Sequence, residues 1–180
     1  MKSAIYPFVF SLALVLALSC SNKEKDLPPA PASAAAVKDF LQHRTLTVIS
    51  TGFYDPAVVN DQKKMVWIDT ATEKGKYEKE IAVELNGFSL QFVNDTAVKV
   101  VTRTTAFDAT YKVDELADEL DKAKEGIKLR ISYADPAMRF GEGEIPLVTY
   151  TYLVEGLDKE ELLLQFPREV NRRPVMALLK

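Results

Sequence analysis

Apolar and polar residues alternate with a period of two over most of the chain, and that is the mark of strands. Leu46-Thr47-Val48-Ile49-Ser50-Thr51 is rich in β-branched residues and predicts a strand. Met65-Val66-Trp67-Ile68-Asp69 predicts the next, after a loop from Gly52 to Gln62. Thr70 to Lys79 reads as a charged connection. Ala109 to Val113 and Ile127 to Tyr133 alternate again, and Asp135 to Pro146 is loop. In the last third, Val148, Tyr150, Tyr152 and Val154 share one face. Glu155 to Glu160, with Gly156, turns the chain, and Leu162, Leu164 and Phe166 return. Pro167 to Arg173 is a polar turn, and Val175 to Leu179 a last strand. A terminal strand stays ordered when it is hydrogen-bonded into a sheet.

The sharpest local signal lies between Ile81 and Phe92. Asn86-Gly87 is the preferred dipeptide of a two-residue type I′ turn. That turn sets Leu85 opposite Phe88, Val83 opposite Leu90 and Ile81 opposite Phe92, all apolar and on one face. A second turn at Asn94-Asp95-Thr96 sets Val98 against Phe92 and Val100 against Leu90. The expectation is a three-stranded meander.

A helical period shows twice. Ser33 caps a short helix running to about His43, with Val37, Phe40 and Leu41 on one side. Asp114 to Glu125 carries Leu116, Ala117, Leu120 and Ala123 at helical spacing, with acids at its start and Gly126 at its end. The sum is an all-β chain with minor α content. Sequential antiparallel strands with one apolar face hide that face and their edges by curling into an up-and-down barrel. A β-sandwich is the second arrangement.

The amino terminus follows another rule. Lys2 precedes an apolar run from about Ile5 to Leu18, and small residues follow. That is the build of a secretory signal peptide, residues 1–19. The run is shorter than the roughly 20 residues of a spanning helix. The chain's one cysteine, Cys20, stands at the junction. Leu16-Ala17-Leu18-Ser19-Cys20 resembles the bacterial lipobox, in the relaxed form of Bacteroidota lipoproteins. The resemblance implies cleavage before Cys20 and acylation of its thiol, with palmitate among the chains. The plainer alternative is an ordinary signal peptide with a chance cysteine. Ser21, where an aspartate resembles an inner-membrane retention signal, points to the outer membrane. Lys23, Glu24 and Asp26 partly resemble the charged export signal of surface lipoproteins, although Lys25 interrupts the acids. Surface display and a periplasm-facing position both stay open. Leu27-Pro28-Pro29-Ala30-Pro31-Ala32 completes a flexible linker over 20–32, which leaves one domain over 33–180.

The Phe88–Val100 hairpin, Tyr150-Thr151-Tyr152-Leu153-Val154, Gly156-Leu157 and Leu162-Leu163-Leu164 look like the lipocalin-like domains of small bacterial lipoproteins. That resemblance implies a barrel that recognises a ligand by shape.

Charge and chemistry narrow the function. The formal net charge is −3, with both signs interspersed and no basic block, which argues against nucleic acid. His43 is the lone histidine, so imidazole or thiolate metal sites are not expected, and no cofactor motif is present. Carboxylates such as Asp108, Asp114 or Glu142 could serve a hydrolase, but nothing sets them apart from solvated surface. Trp67, Phe88, Phe92, Tyr150, Tyr152 and Phe166 are candidates to line a ligand cavity, or simply a filled core. Arg168, Arg172 and Arg173 are candidates for an anion or partner contact, or for salt bridges to nearby acids. The expectation is a non-catalytic, lipid-anchored module of the cell envelope that holds a small apolar ligand or a partner protein. A structural subunit of an outer-membrane complex is the second reading.

Overall fold

The computed structural model describes residues 26–54, 65–71, 74–116, 126–134 and 145–180. Helix α1 spans Ala34–Leu41. Its start is fixed by Ser33, whose Oγ accepts from the Ala36 amide at 3.1 Å. Such a cap is worth about 1 kcal/mol. The helix buries Val37, Phe40 and Leu41, the face read from the sequence. His43, with φ of 56°, then swings the chain into the sheet.

The described strands are β1 (Thr45–Tyr54), β2 (Met65–Trp67), β3 (Ser89–Phe92), β4 (Ala97–Val101), β5 (Ala106–Leu116), β6 (Gly126–Ala134), β7 (Leu147–Leu157), β8 (Leu162–Val170) and β9 (Arg173–Leu179). Every pairing is antiparallel, and β1 pairs with β9 as well as with β3. The sheet therefore closes into an eight-stranded up-and-down barrel of β1 and β3 to β9. Strand β2 is the exception, flanking β1 through Gly52–Tyr54. Closure leaves no open edge around the barrel, which is why the terminal strand β9 is ordered to Leu179. The meander register holds where it was anchored by a turn, with Phe92 facing Val98 and Leu90 facing Val100.

The Asn86-Gly87 hairpin does not form. Lys76–Leu85 is a helix, α2, and Asn86 is its C-cap. Gly87, with φ of 85°, ends the helix in the left-handed conformation instead of turning a hairpin. Ile81, Val83 and Leu85 fit period two, but Glu78, Ile81, Ala82 and Leu85 fit the buried side of a helix. Val83 decides between them: it is 40% exposed, whereas the hairpin needed it inside. Leu90 pairs with Leu46 of β1 on its other side.

The helix expected over Asp114–Glu125 is also corrected at its start. Asp114, Glu115 and Leu116 continue β5 and pair with Lys128, Ile127 and Gly126. Asp114 faces outward, where Arg130 Nε donates to it at 2.7 Å and Lys112 Nζ lies at 2.8 Å. These cross-strand partners favour the strand. Residues 117–125 lie outside the described set. Other boundaries move too. Gly52–Tyr54 is strand, Gly156 is part of β7, and β8 runs on to Val170. Asn171 and Arg172, with φ of 53° and 63°, make the tight β8–β9 turn.

Inward side chains such as Leu90, Leu129, Ile131 and Leu164 form the main core. The two helices sit at opposite ends of the barrel. Helix α1 packs on β5, beside the β3–β4 turn, where Gln42 Nε2 donates to Asp95 at 3.2 Å. Helix α2 lies by the β8–β9 turn, from which Asn171 Nδ2 and Arg173 Nη2 donate to Glu78 at 2.9 and 2.8 Å. A second apolar cluster forms on the barrel's outer wall, with Met65, Leu163, Met176 and Leu178 covered by Leu27, Tyr54 and Trp67.

The proline-rich spacer is not free along its length. Pro28 is buried, and Pro29 O accepts from the Leu157 amide at 2.8 Å. A β-carbon on Gly156 would stand 2.5 Å from Pro28 O. Gly156 thus makes room for the strap to cross β7.

Candidate functional site

Among the described residues, the α2 end of the barrel holds an open space. A cavity of about 440 Å³ lies between α2, the β4–β5 turn and the ends of β5 to β9. Its volume falls in the range of small-molecule sites, roughly 300–1,000 Å³. Four of the six aromatic candidates meet there: Phe88, Tyr150, Tyr152 and Phe166. Phe88 and Tyr152 each meet Phe166 edge-on, with centroids at 5.4 and 5.0 Å. Phe107 and Tyr133 complete the wall and were missed from the sequence. The signal for them existed. Phe107 keeps step with inward Ala109 and Tyr111, and Tyr133 with inward Ile131.

Phe107, Tyr133 and Tyr150 are neighbours across three adjacent strands. Their rings stack in a ladder, with centroids at 4.9 and 5.3 Å and planes 23° and 18° apart. Offset stacking of this kind suits the ring quadrupoles. It also presents a broad π-face to the cavity. Burial pushes the Tyr152 phenol well above its ordinary pKa, and the neighbouring Tyr133 and Tyr150 phenols add to the effect. Tyr152 therefore stays neutral, and the charged groups of the lining are Arg168 and Glu84, paired with each other.

The other two aromatics stand elsewhere. Phe92 is in the core, edge-on to Tyr111 at 4.9 Å. The Tyr111 hydroxyl is buried with no hydrogen-bond partner among the described residues. Trp67 is on the outer wall with Met65 and Leu163, so it cannot touch anything inside.

The arginines divide as well. Arg168 lines the cavity and its Nη1 meets Glu84 of α2 at 2.6 Å. Arg173 binds Glu78 of α2 and lies over the Phe53 ring at 4.6 Å. Both hold α2 across the barrel end, so their anions come from within the chain. Arg172 is exposed in the β8–β9 turn.

The carboxylate candidates do not converge among the described residues. Asp108 is exposed opposite Lys99 on the outer face, and Asp114 is outward near the far end of β5. Glu142 and Cys20 lie outside the described residues. Among those described, no three His, Cys, Asp or Glu side chains are placed to hold a metal ion. Nor is any described helix long and apolar enough to cross a membrane.

No family model, curated protein or solved structure matches the chain. The cavity lining is mostly apolar, with six aromatic rings, relieved by the Thr102, Thr104 and Thr105 turn and by the Arg168–Glu84 pair. Such a surface can hold an apolar body by area and orient it with a few polar groups. Each ring it covers would lose roughly 25 cal/mol per Å² of wetted apolar surface.

Proposed function

We propose that this protein is a lipid-anchored lipoprotein of the outer membrane whose barrel binds a small apolar ligand at the α2 end. The single observation that carries the binding half is the aromatic cavity built from Phe88, Phe107, Tyr133, Tyr150, Tyr152 and Phe166. Apolar space left unfilled costs stability, so an aromatic-lined cavity supports a binding role over a purely structural one.

The anchoring half rests on Cys20 and the lipobox-like residues before it. The docked strap gives it a geometry. Six residues lie between Cys20 and Leu27, so the chain takes about seven steps of at most about 3.6 Å each. A barrel so tethered sits within roughly 25 Å of the bilayer surface. A ligand that partitions into that bilayer would reach the cavity without a long aqueous path.

Metabolic labelling with palmitate, followed by membrane fractionation, tests the anchor. Wild-type protein carries label and sediments with membranes, and Cys20→Ala does neither. Unlabelled wild-type protein in the soluble fraction overturns it. Mass spectrometry of an organic extract of protein purified from its own envelope tests the cargo. Extracts free of any bound small molecule count against ligand carriage.

A further inference from the structure

The aromatic cavity does not end at the barrel rim. A wider, more open depression of about 770 Å³ adjoins it between α2 and the β4–β5 turn. The two share Glu84, Thr102 and Thr104, so they abut along those residues. Their chemistries differ sharply. The inner part is aromatic, whereas the outer part carries Lys76, Lys79 and Arg103.

The acids that line the two are already engaged. Glu84 is held by Arg168 at 2.6 Å, and Glu80 by Lys76 at 3.9 Å. Among the described residues neither Lys79 nor Arg103 is in an ion pair. Two cations thus line the outer depression, one from α2 and one from the β4–β5 turn, within a chain of net charge −3. The hydroxyls of Thr102 and Thr104 stand where the outer part meets the inner.

We propose that the ligand is an amphiphile with an anionic head. Its apolar part lies against the aromatic wall, and its head, a phosphate or a carboxylate, rests between Lys79 and Arg103. The proposal rests on the cavity reading above and deepens it. An anion between two unpaired cations gains charge-assisted hydrogen bonds that a neutral head cannot make. The polarity step at Thr102 and Thr104 sets the register of the molecule, with tail inward and head outward.

Three ligands of equal chain length test it by calorimetry below their micellar concentrations: decanol, decanoate and decyl phosphate. Full-length protein and a Lys79→Glu/Arg103→Glu variant are compared. Both side chains are exposed, so the variant keeps the core, and its circular dichroism and urea midpoint check this. Wild-type protein binds at least one of the two anions about ten-fold or more tighter than decanol. Whichever anion wins identifies the head. The variant loses that preference and keeps its affinity for decanol. Equal binding of all three ligands by wild type, or a preference that survives in the variant, overturns this proposal and leaves the cavity reading standing. Binding of none overturns both.

Discussion

Single residues decide more here than their size suggests. Gly156 lacks the β-carbon that would collide with Pro28 O, so it fixes where the strap lies. Replacing it with alanine forces the strap or β7 to shift, and overpacking of this kind costs about 1–3 kcal/mol. Urea unfolding of Gly156→Ala should show that loss; an unchanged midpoint would mean the strap is not held there. Nothing in the sequence marked this glycine as more than a turn former, because its neighbour Pro28 is over a hundred residues away. Arg172 was legible only as a charge. Its φ of 63° is a backbone role that Asn-Gly, not Asn-Arg, normally signals. Ser33, by contrast, was readable in full, since a cap depends on residues three positions apart.

At the scale of elements, local signals succeeded when one period explained them and failed when two did. The β3–β4 register was legible because Asn94 closes its own turn, accepting from the Thr96 and Ala97 amides at 2.9 and 2.8 Å. Helix α2 was hidden because Ile81, Val83 and Leu85 alternate as a strand would. What settles the matter is tertiary. Glu78 needs Asn171 and Arg173, and Ile81 and Leu85 need the barrel end to cover. A paired substitution separates the two structures. In the helix, Val83→Gln stays within about 0.5 kcal/mol of wild type, whereas Ile81→Gln costs roughly 2–4 kcal/mol. Equal large losses at both positions in thermal or urea unfolding would restore the hairpin. The same element sets the site, because α2 both borders the aromatic cavity and carries the lysines outside it.

At the scale of the whole molecule, alternation and turn spacing predicted a barrel, and the β1–β9 pairing closes one. The site was half legible. The sequence placed Tyr150, Tyr152, Phe88 and Phe166 on apolar faces, but which faces converge at one end is a property of closure. That is why Trp67 and Phe92 dropped out, and why Phe107 and Tyr133 came in. Packing buries phenols on both sides of the barrel wall, Tyr54 outside and Tyr152 inside. Tyr54 is pushed up by burial and then by Glu155, to which its hydroxyl donates at 3.2 Å, and Tyr152 is pushed up by burial first. A raised phenol pKa stabilises the fold fully below the unfolded value near 10. Stability then falls as pH climbs from there towards the folded value, because only the unfolded chain releases the proton. Spectrophotometric titration should leave Tyr54 and Tyr152 protonated past the ordinary phenol range until the barrel unfolds. A single smooth transition near pH 10 for every tyrosine would contradict their burial. At the acid end the opposite sign applies. Lys112, then Arg130, hold the Asp114 carboxyl below its usual range, and that small surface contribution is lost as pH falls through it.

On the function proposed above, the α2 end of the barrel is a binding cavity and not merely loose packing. Titration with the neutral fluorophore N-phenyl-1-naphthylamine tests it most directly, using wild type and Thr104→Trp. Thr104 is exposed and lines the entrance, so an indole there obstructs the cavity without touching the core. A binding cavity there gives saturable fluorescence enhancement at one site per wild-type chain and at least a ten-fold weaker response in the variant. No saturable binding to wild type, or equal binding to both proteins, would contradict it.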